Sequence, residues 1–367
     1  MSQFGDTHNF GRHVQPNGKN WIHKPRSTFW EELLLSRDSS FRNELDRILA
    51  HEPVVSCMPK LHFKADSGDS AATLMERVTV KPAITSCDLE YILEALGGLL
   101  AVTAWLGIED LHNGNIVLGT DVRTGKFVLF PIDIEVIFSD VRLPSTIGLI
   151  HIDKNRQSIS GAVSLFGLIR SANAKQRLAI PLAYMRTTQT LLQNAERIVN
   201  ALHAENGILT APIRIVARNT RDYLVHMRNQ PPDNLIDTTE LTEDELVQMR
   251  RGDVPYFFRT LADPRVRYFS SPDLTTCKFI KSQQWAATRA KATLRPQKIF
   301  AIRTRNLLLS EDSAMMIAAH FLPPDFMGEI QYRNFYLSAS KRAVHIQFDG
   351  GILYKGARNW SDYLVPL

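Results

Sequence analysis

Cysteine is scarce. Cys57, Cys87 and Cys277 are the only three in 367 residues and no CxxC spacing occurs, which excludes a disulfide framework and argues against a structural zinc site. That usage suits a reducing compartment, so the expected localisation is cytoplasmic. A Walker A motif, G-x-x-x-x-G-K-[ST], is also missing, which removes the P-loop nucleotide-binding class, and there is no complete G-x-G-x-x-G loop. Charge of one sign is lacking as well: 43 Lys and Arg against 38 Asp and Glu leave only +5, without a long basic run. Nucleic acid is therefore not an expected partner, although acidic ligands would be attracted. The first residues, MSQFGDTHNFGRHV, contain no apolar h-region of a signal peptide. The longest apolar stretch, Tyr91 to Ile108, approaches membrane length but carries Glu94 and the Gly97-Gly98 pair. It reads as a buried helix, and no membrane span is expected. Internal repeats and low-complexity linkers are absent.

What remains is an ordinary folded chain, 44% hydrophobic and 22% charged, long enough for two or three domains. Pro16-Asn17-Gly18 punctuates two short N-terminal strands, the second of them Trp21-Ile22-His23-Lys24. Helices are expected over Thr28 to Leu35, with Ser27 or Thr28 as N-cap, and over Phe41 to Leu49. The stretch from His51 to Asp69 reads as irregular, and Thr73 to Val80 as one strand ended by Pro82. A helix from Asp88 to Leu106 then leads through a polar loop into strands at Ile116–Leu118 and Phe127–Ile132, joined by a turn at Asp121 to Gly125. Further helices are expected at Thr187–His203, Arg221–Met227 and Glu243–Arg250. Strand-like runs at 299–302, 344–348 and 352–354 surround Met315 to Leu322.

The chemistry concentrates in Asp110-Leu111-His112-Asn113-Gly114-Asn115, followed after the hairpin by Ile132-Asp133-Ile134-Glu135. Phosphoryl transfer of the kinase kind needs a carboxylate beside the attacking hydroxyl, an Asn five residues on, and a second Asp that holds Mg²⁺ against the phosphates. Asp110, Asn115 and Asp133 have that spacing and that order of elements, and two oxygen ligands suit Mg²⁺. Lys24, at the end of an N-terminal strand, is placed to neutralise phosphate. Gly5 to Arg12, with Asp6 and His8, would have to cover the phosphates in place of a glycine-rich loop. Downstream, Arg214 and Arg218 alternate with apolar residues, so they could share one strand face and present two guanidiniums to a phosphate; a salt-bridged surface strand is the equal alternative.

Six segments together resemble the dehydratase domain of the class II lanthipeptide synthetases (LanM type): Gly5-Asp6-Thr7-His8-Asn9 with Gly11-Arg12, Lys24-Pro25-Arg26-Ser27, Asp110-Leu111-His112 with Asn115, Ile132-Asp133-Ile134-Glu135, Pro212-x-Arg214-x-x-x-Arg218-x-Thr220 with Tyr223, and Gly252-Asp253-Val254-Pro255-Tyr256-Phe257. They follow the family order from residue 5 to about 270. The resemblance implies an α+β, two-lobed, protein/lipid-kinase-like fold: an N-lobe over 1–80, a C-lobe over 81–270 and a C-terminal extension of unknown role over 271–367. It implies that ATP and Mg²⁺ are used to phosphorylate Ser and Thr of a precursor peptide, and that phosphate is then eliminated to leave dehydroalanine or dehydrobutyrine. Asp110, His112, Asn115 and Asp133 would serve phosphorylation and metal binding, Asn115 and Asp133 as the ligands, with Lys24 and Glu135 at the nucleotide. Lys24, Arg214 and Thr220 would serve phosphate binding and elimination, with Asp6 and His8 lining the site. Thioether cyclisation is not encoded in these residues, so a separate cyclase or leader-binding protein is an expected partner. Two alternatives stand beside this reading: a phosphotransferase that does not eliminate, and a non-catalytic scaffold that binds the precursor.

Overall fold

The computed structural model describes residues 7–81, 88–139, 147–150, 158–218, 220–229, 241–281, 326–340, 343–348 and 351–357. Among these, mixed α and β structure forms four small antiparallel sheets with helices between them.

The N-terminal sheet has the order β1-β2-β4-β3, from β1 (Gln15–Asn17), β2 (Trp21–Lys24), β3 (Phe63–Ala65) and β4 (Thr73–Glu76). The β1–β2 turn falls where Pro16-Asn17-Gly18 predicts it, with Gly18 at φ +65°. Between β2 and β3 run α1 (Phe29–Leu35), α2 (Ser40–Ile48) and α3 (Pro53–Cys57). Thr28 does occupy the N-cap position of α1, but its hydroxyl donates to Glu32 Oε1 at 2.5 Å and makes no cap bond to the backbone. The region read as irregular contains α3 and β3. Both are too short for periodicity to reveal, although Pro53 at the helix start is a legible cue.

The predicted Asp88–Leu106 helix is α4 (Leu89–Leu106), capped by Asp88 and ended by Gly107 at φ +65°. Every residue from Ile92 to Leu106 is buried, so the membrane-length apolar run is spent inside the protein. The glycine pair, read from sequence as an interruption, is instead a close-approach surface: a Cβ on Gly97 would sit 2.2 Å from the Ile180 carbonyl oxygen, and one on Gly98 2.8 Å from Val54 Cβ. Ile180 belongs to α7 (Ala179–Gln193), which lies against α4. α5 (Phe166–Ser171) and α6 (Ala174–Arg177) precede α7, and α8 (Ala195–His203) follows it. The single helix expected at 187–203 is thus broken at Asn194, and α7 begins earlier than its polar face suggests because it is buried on nearly all sides.

β5 (Val80–Lys81), β6 (Ile116–Asp121) and β7 (Phe127–Pro131) form the second sheet, so the strand expected over Thr73–Val80 is divided between two sheets. A third sheet has the order β11-β10-β9-β8, from β8 (Ile213–Ile215), β9 (Phe257–Arg259), β10 (Arg267–Phe269) and β11 (Cys277–Phe279); α9 (Thr220–Asn229) and α10 (Glu243–Met249) lie between β8 and β9 in sequence. The fourth sheet is a meander of β12 (Gly328–Tyr332), β13 (Phe335–Ala339), β14 (Ala343–Phe348) and β15 (Gly351–Ala357). β14 and β15 match expected strands and β12–β13 were unforeseen; the expectations at 299–302 and 315–322 lie outside the described residues. Leu337, Ala339, Ile346 and Phe348 of this meander join the same apolar core as α1, α4 and α7, and Arg333 reaches Glu94 at 2.9 Å.

Candidate functional site

The β6–β7 hairpin sets the centre of the site. Ile116 is opposite Pro131, and the amide of Ile132 donates to the carbonyl of Asn115 at 2.8 Å, so Asn115 and Asp133 flank the open end of the hairpin. Asn115 Nδ2 donates to the Asp110 carbonyl at 2.9 Å and closes the polar loop, while the Gly114 amide donates to His112 Nδ1 at 3.0 Å. Asp110 and Asp133 adopt φ +65° and +60°, left-handed values that non-glycine residues rarely take outside sites whose surroundings impose them.

Two cations from the N-terminal segment enter this end of the hairpin. Lys24, the last residue of β2 and only 2% exposed, bonds Glu31 Oε1 at 2.9 Å and Asp133 Oδ1 at 3.2 Å. Arg26 bridges three carboxylates: Glu31 at 2.7 Å, Glu135 at 2.8 Å, and Asp133. Glu135 accepts a third cation, since Arg214 Nη1 donates to its Oε2 at 2.7 Å, and the Arg214 amide donates to the Glu135 carbonyl at 2.9 Å. Arg214 lies 5.4 Å from the ring centroid of Tyr256, and the His8 ring meets the same tyrosine edge-on at 5.8 Å. His8 is held by the Val254 carbonyl, 2.7 Å from its Nδ1.

Electrostatics follow from this weave. Burial would push the Glu31 and Asp133 carboxyls up, but the charges of Arg26 and Lys24 overcome it and hold both below the ordinary range; Asp133 stays ionised at any physiological pH. Arg26 and Arg214 are likewise held charged against burial, by Glu135 first in each case. Asp110 goes the other way: desolvation by the surrounding protein pushes its carboxyl up against the pull of His112 and Arg214, with Glu135 and Asp133 adding to the push. A carboxylate made more basic beside cations is the property wanted of a proton acceptor. Burial keeps the Tyr256 hydroxyl protonated.

The structure therefore brings together Lys24, Asp110, His112, Asn115, Asp133, Glu135 and Arg214, with His8 one ring away. Asp6 lies outside the described residues. Thr220 opens α9 and is not among the partners of Arg214. The expectation that Arg214 and Arg218 present one paired face is not met: β8 ends at Ile215, Arg214 is bound to Glu135, and Arg218 turns to Glu245 at 2.9 Å. Nor are the amides of the Gly5–Arg12 loop free for a phosphate at its tip. The fully buried Asp253 accepts from Phe10 and Gly11, each at 2.7 Å, and fastens that turn down.

Four residues of the arrangement were not singled out from sequence: Arg26, Glu31, Tyr256 and Asp253. Arg26 lies two residues from Lys24, and Tyr256 and Asp253 lie in the last of the matched segments; Glu31 looks like any acidic residue in a first helical turn.

For a cation, no group of three or more His, Cys, Asp or Glu suited to a metal occurs among the described residues. Asp133 spends Oδ1 on Lys24 and Arg26, which leaves its Oδ2 and Asn115 Oδ1 as the oxygens there that bond nothing among the described residues. Two hard oxygens fit Mg²⁺, which keeps water and phosphate oxygens for its other positions. A scan against models of known protein families returns no match, and neither does a search of the curated proteins.

Proposed function

We propose that this chain is an ATP-dependent Ser/Thr dehydratase acting on a ribosomally made precursor peptide, with the two-lobed, lipid-kinase-like arrangement its motifs resemble. The observation that carries the reading is the single charged cluster in which Lys24 and Arg26, from the N-terminal segment, meet Asp133 and Glu135 beyond the hairpin and Arg214 of β8. Such a cluster, with Asp110 and Asn115 beside it, supports phosphoryl transfer by positioning and charge. Asp110 accepts the proton of the substrate hydroxyl as its oxygen attacks the γ-phosphorus and the bond to ADP breaks. ATP would supply the phosphoryl group, and Asn115 and Asp133 would hold a Mg²⁺ whose charge would offset that of the phosphates. In the elimination a base takes the α-proton, the C–H electron pair forms the Cα=Cβ double bond, and the Cβ–O bond breaks to release phosphate, with Arg214 and Lys24 as the cations near the departing anion. A separate cyclase or leader-binding protein would act alongside.

The bond from Arg214 to Glu135 favours a second reading, a phosphotransferase that stops at the phosphopeptide, because this arginine is already neutralised. The intact mass of a candidate precursor co-expressed with the chain separates the two. Loss of one water per modified Ser or Thr is the expected result. A stable phosphate adduct favours the second reading, and Arg214→Ala should convert a dehydrating chain into one that accumulates phosphopeptide.

A further inference from the structure

A groove of about 880 Å³ runs beside the charged cluster, between the N-terminal sheet and the sheet of β8–β11. One wall is β3, all three of whose residues line it. The face of a strand shows alternate residues, so three consecutive lining residues mark an edge. β3 is the last strand in its sheet, paired only with β4 among the described residues. The bonds from Glu76 N to His62 O at 2.9 Å and from Asp66 N to Ala72 O at 3.2 Å fix the alternation of the ladder. Residues 62, 64 and 66 therefore bond β4, and the backbone N–H and C=O of Phe63 and Ala65 point away from it.

The facing wall is one face of the third sheet. Phe258 is opposite both Arg214 and Arg267, and Phe269 is opposite Cys277, so these side chains share that face. Phe258 and Phe269 stack at 4.5 Å inside the groove, and Arg214 continues the same face into the charged cluster. Ser27 and Pro212, the neighbours of Arg26 and Ile213, line the groove where it approaches the cluster. Glu32 also lines it, bonded through its side chain only to Thr28 among the described residues, with no Lys or Arg on it. Burial pushes its carboxyl up accordingly.

We infer that this groove seats an extended peptide as an added strand on β3, over the Phe258–Phe269 platform, with a Lys or Arg of the peptide on Glu32 and the chain leading toward Arg214. The inference rests on the peptide substrate of the proposed function and deepens it. A free strand edge recognises backbone, the stacked rings recognise side-chain surface, and an uncompensated carboxylate selects for positive charge.

The test is fluorescence anisotropy on the full chain without nucleotide, using dye-labelled heptapeptides of alternating Val and Thr in which one Lys is moved through each position. At least one Lys position should bind, and Glu32→Gln should weaken that peptide by about tenfold, the loss of one charge-assisted bond, while leaving the Lys-free peptide unchanged. Methylating the peptide amides on one alternating set should abolish binding, and on the other set should not. Ala65→Pro removes an outward N–H without touching the β4 ladder and should also abolish binding, with the urea midpoint of each variant confirming that it folds. Absence of binding at every Lys position overturns the inference, as does binding indifferent to Glu32→Gln, to methylation and to Ala65→Pro. A dimer of the chain that Ala65→Pro dissociates would assign the edge to a second copy and overturn it too. ADP formation on a Ser-containing peptide is scored separately: binding without turnover sinks the proposed function and leaves the groove, whereas turnover whose KM ignores both variants sinks the groove alone.

Discussion

Replacing Arg26 should damage this protein more than replacing any exposed arginine. Its guanidinium is 14% exposed and bonds three carboxylates, one of them the wholly buried Glu31. With Arg26 present, Glu31, Asp110, Asp133 and Glu135 face Lys24, Arg26 and Arg214; Arg26→Met leaves four carboxylates against two cations. Removing one partner of a buried pair costs about 3–5 kcal/mol, because the remaining charge is stranded. With a slope of about 3 kcal/mol per M, the urea midpoint should fall by about 1–1.7 M. Arg26→Lys keeps the charge but loses the planar fork that reaches three acceptors, so it should lose roughly half as much. Glu31→Gln placed on Arg26→Met removes one stranded carboxylate and should recover about 1–2 kcal/mol, a coupling within the range for contacting groups. The measurement is equilibrium urea unfolding of the four chains at one pH and salt concentration. A shift below about 1 kcal/mol for Arg26→Met, the scale of an exposed pair, would refute the assignment of Arg26 as the keystone of the cluster.

Asp110→Asn should abolish phosphoryl transfer, and it carries a sign that can be checked. The folded carboxyl is raised above its unfolded value, so it contributes stability that is present below the unfolded value and lost as pH rises through the folded one. At pH 7 the wild type has lost it, so Asn should raise the urea midpoint there and leave it unchanged near pH 3; a lower midpoint at pH 7 would contradict the direction. Gly97→Ala places a Cβ 2.2 Å from the Ile180 carbonyl and should destabilise by about 1–3 kcal/mol by forcing α4 and α7 apart, whereas Gly167→Ala, with open space, should not. Asp253→Asn keeps the shape but weakens the hold on the Phe10 and Gly11 amides, so hydrogen exchange at those two amides should quicken while α4 stays protected. Equal protection in both chains would refute the clamp.

Periodicity and punctuation in the sequence located α4, the β6–β7 hairpin and the N-terminal turn, because each is decided by residues close together: Asp88 and Gly107 bound a helix, and Asn17-Gly18 closes a turn. They missed α3 and β3, and joined α7 to α8, because elements of three to five residues carry too little pattern and a helix buried on most sides loses its polar stripe. The spacing of Asp110, Asn115 and Asp133 was legible for the same local reason, since one hairpin fixes all three. Lys24 was legible only as a strand-end lysine. That Arg26 is the residue bridging Glu31, Asp133 and Glu135, that Arg214 and Arg218 part company, and that Asp253 closes the turn at Phe10 and Gly11 depend on pairs 5 to 243 residues apart. The sequence by itself determined which segments could carry charge, turn or helix. Only the tertiary structure decided which charges meet, because a buried ion takes as its partner whichever opposite charge the packing of distant segments leaves within reach.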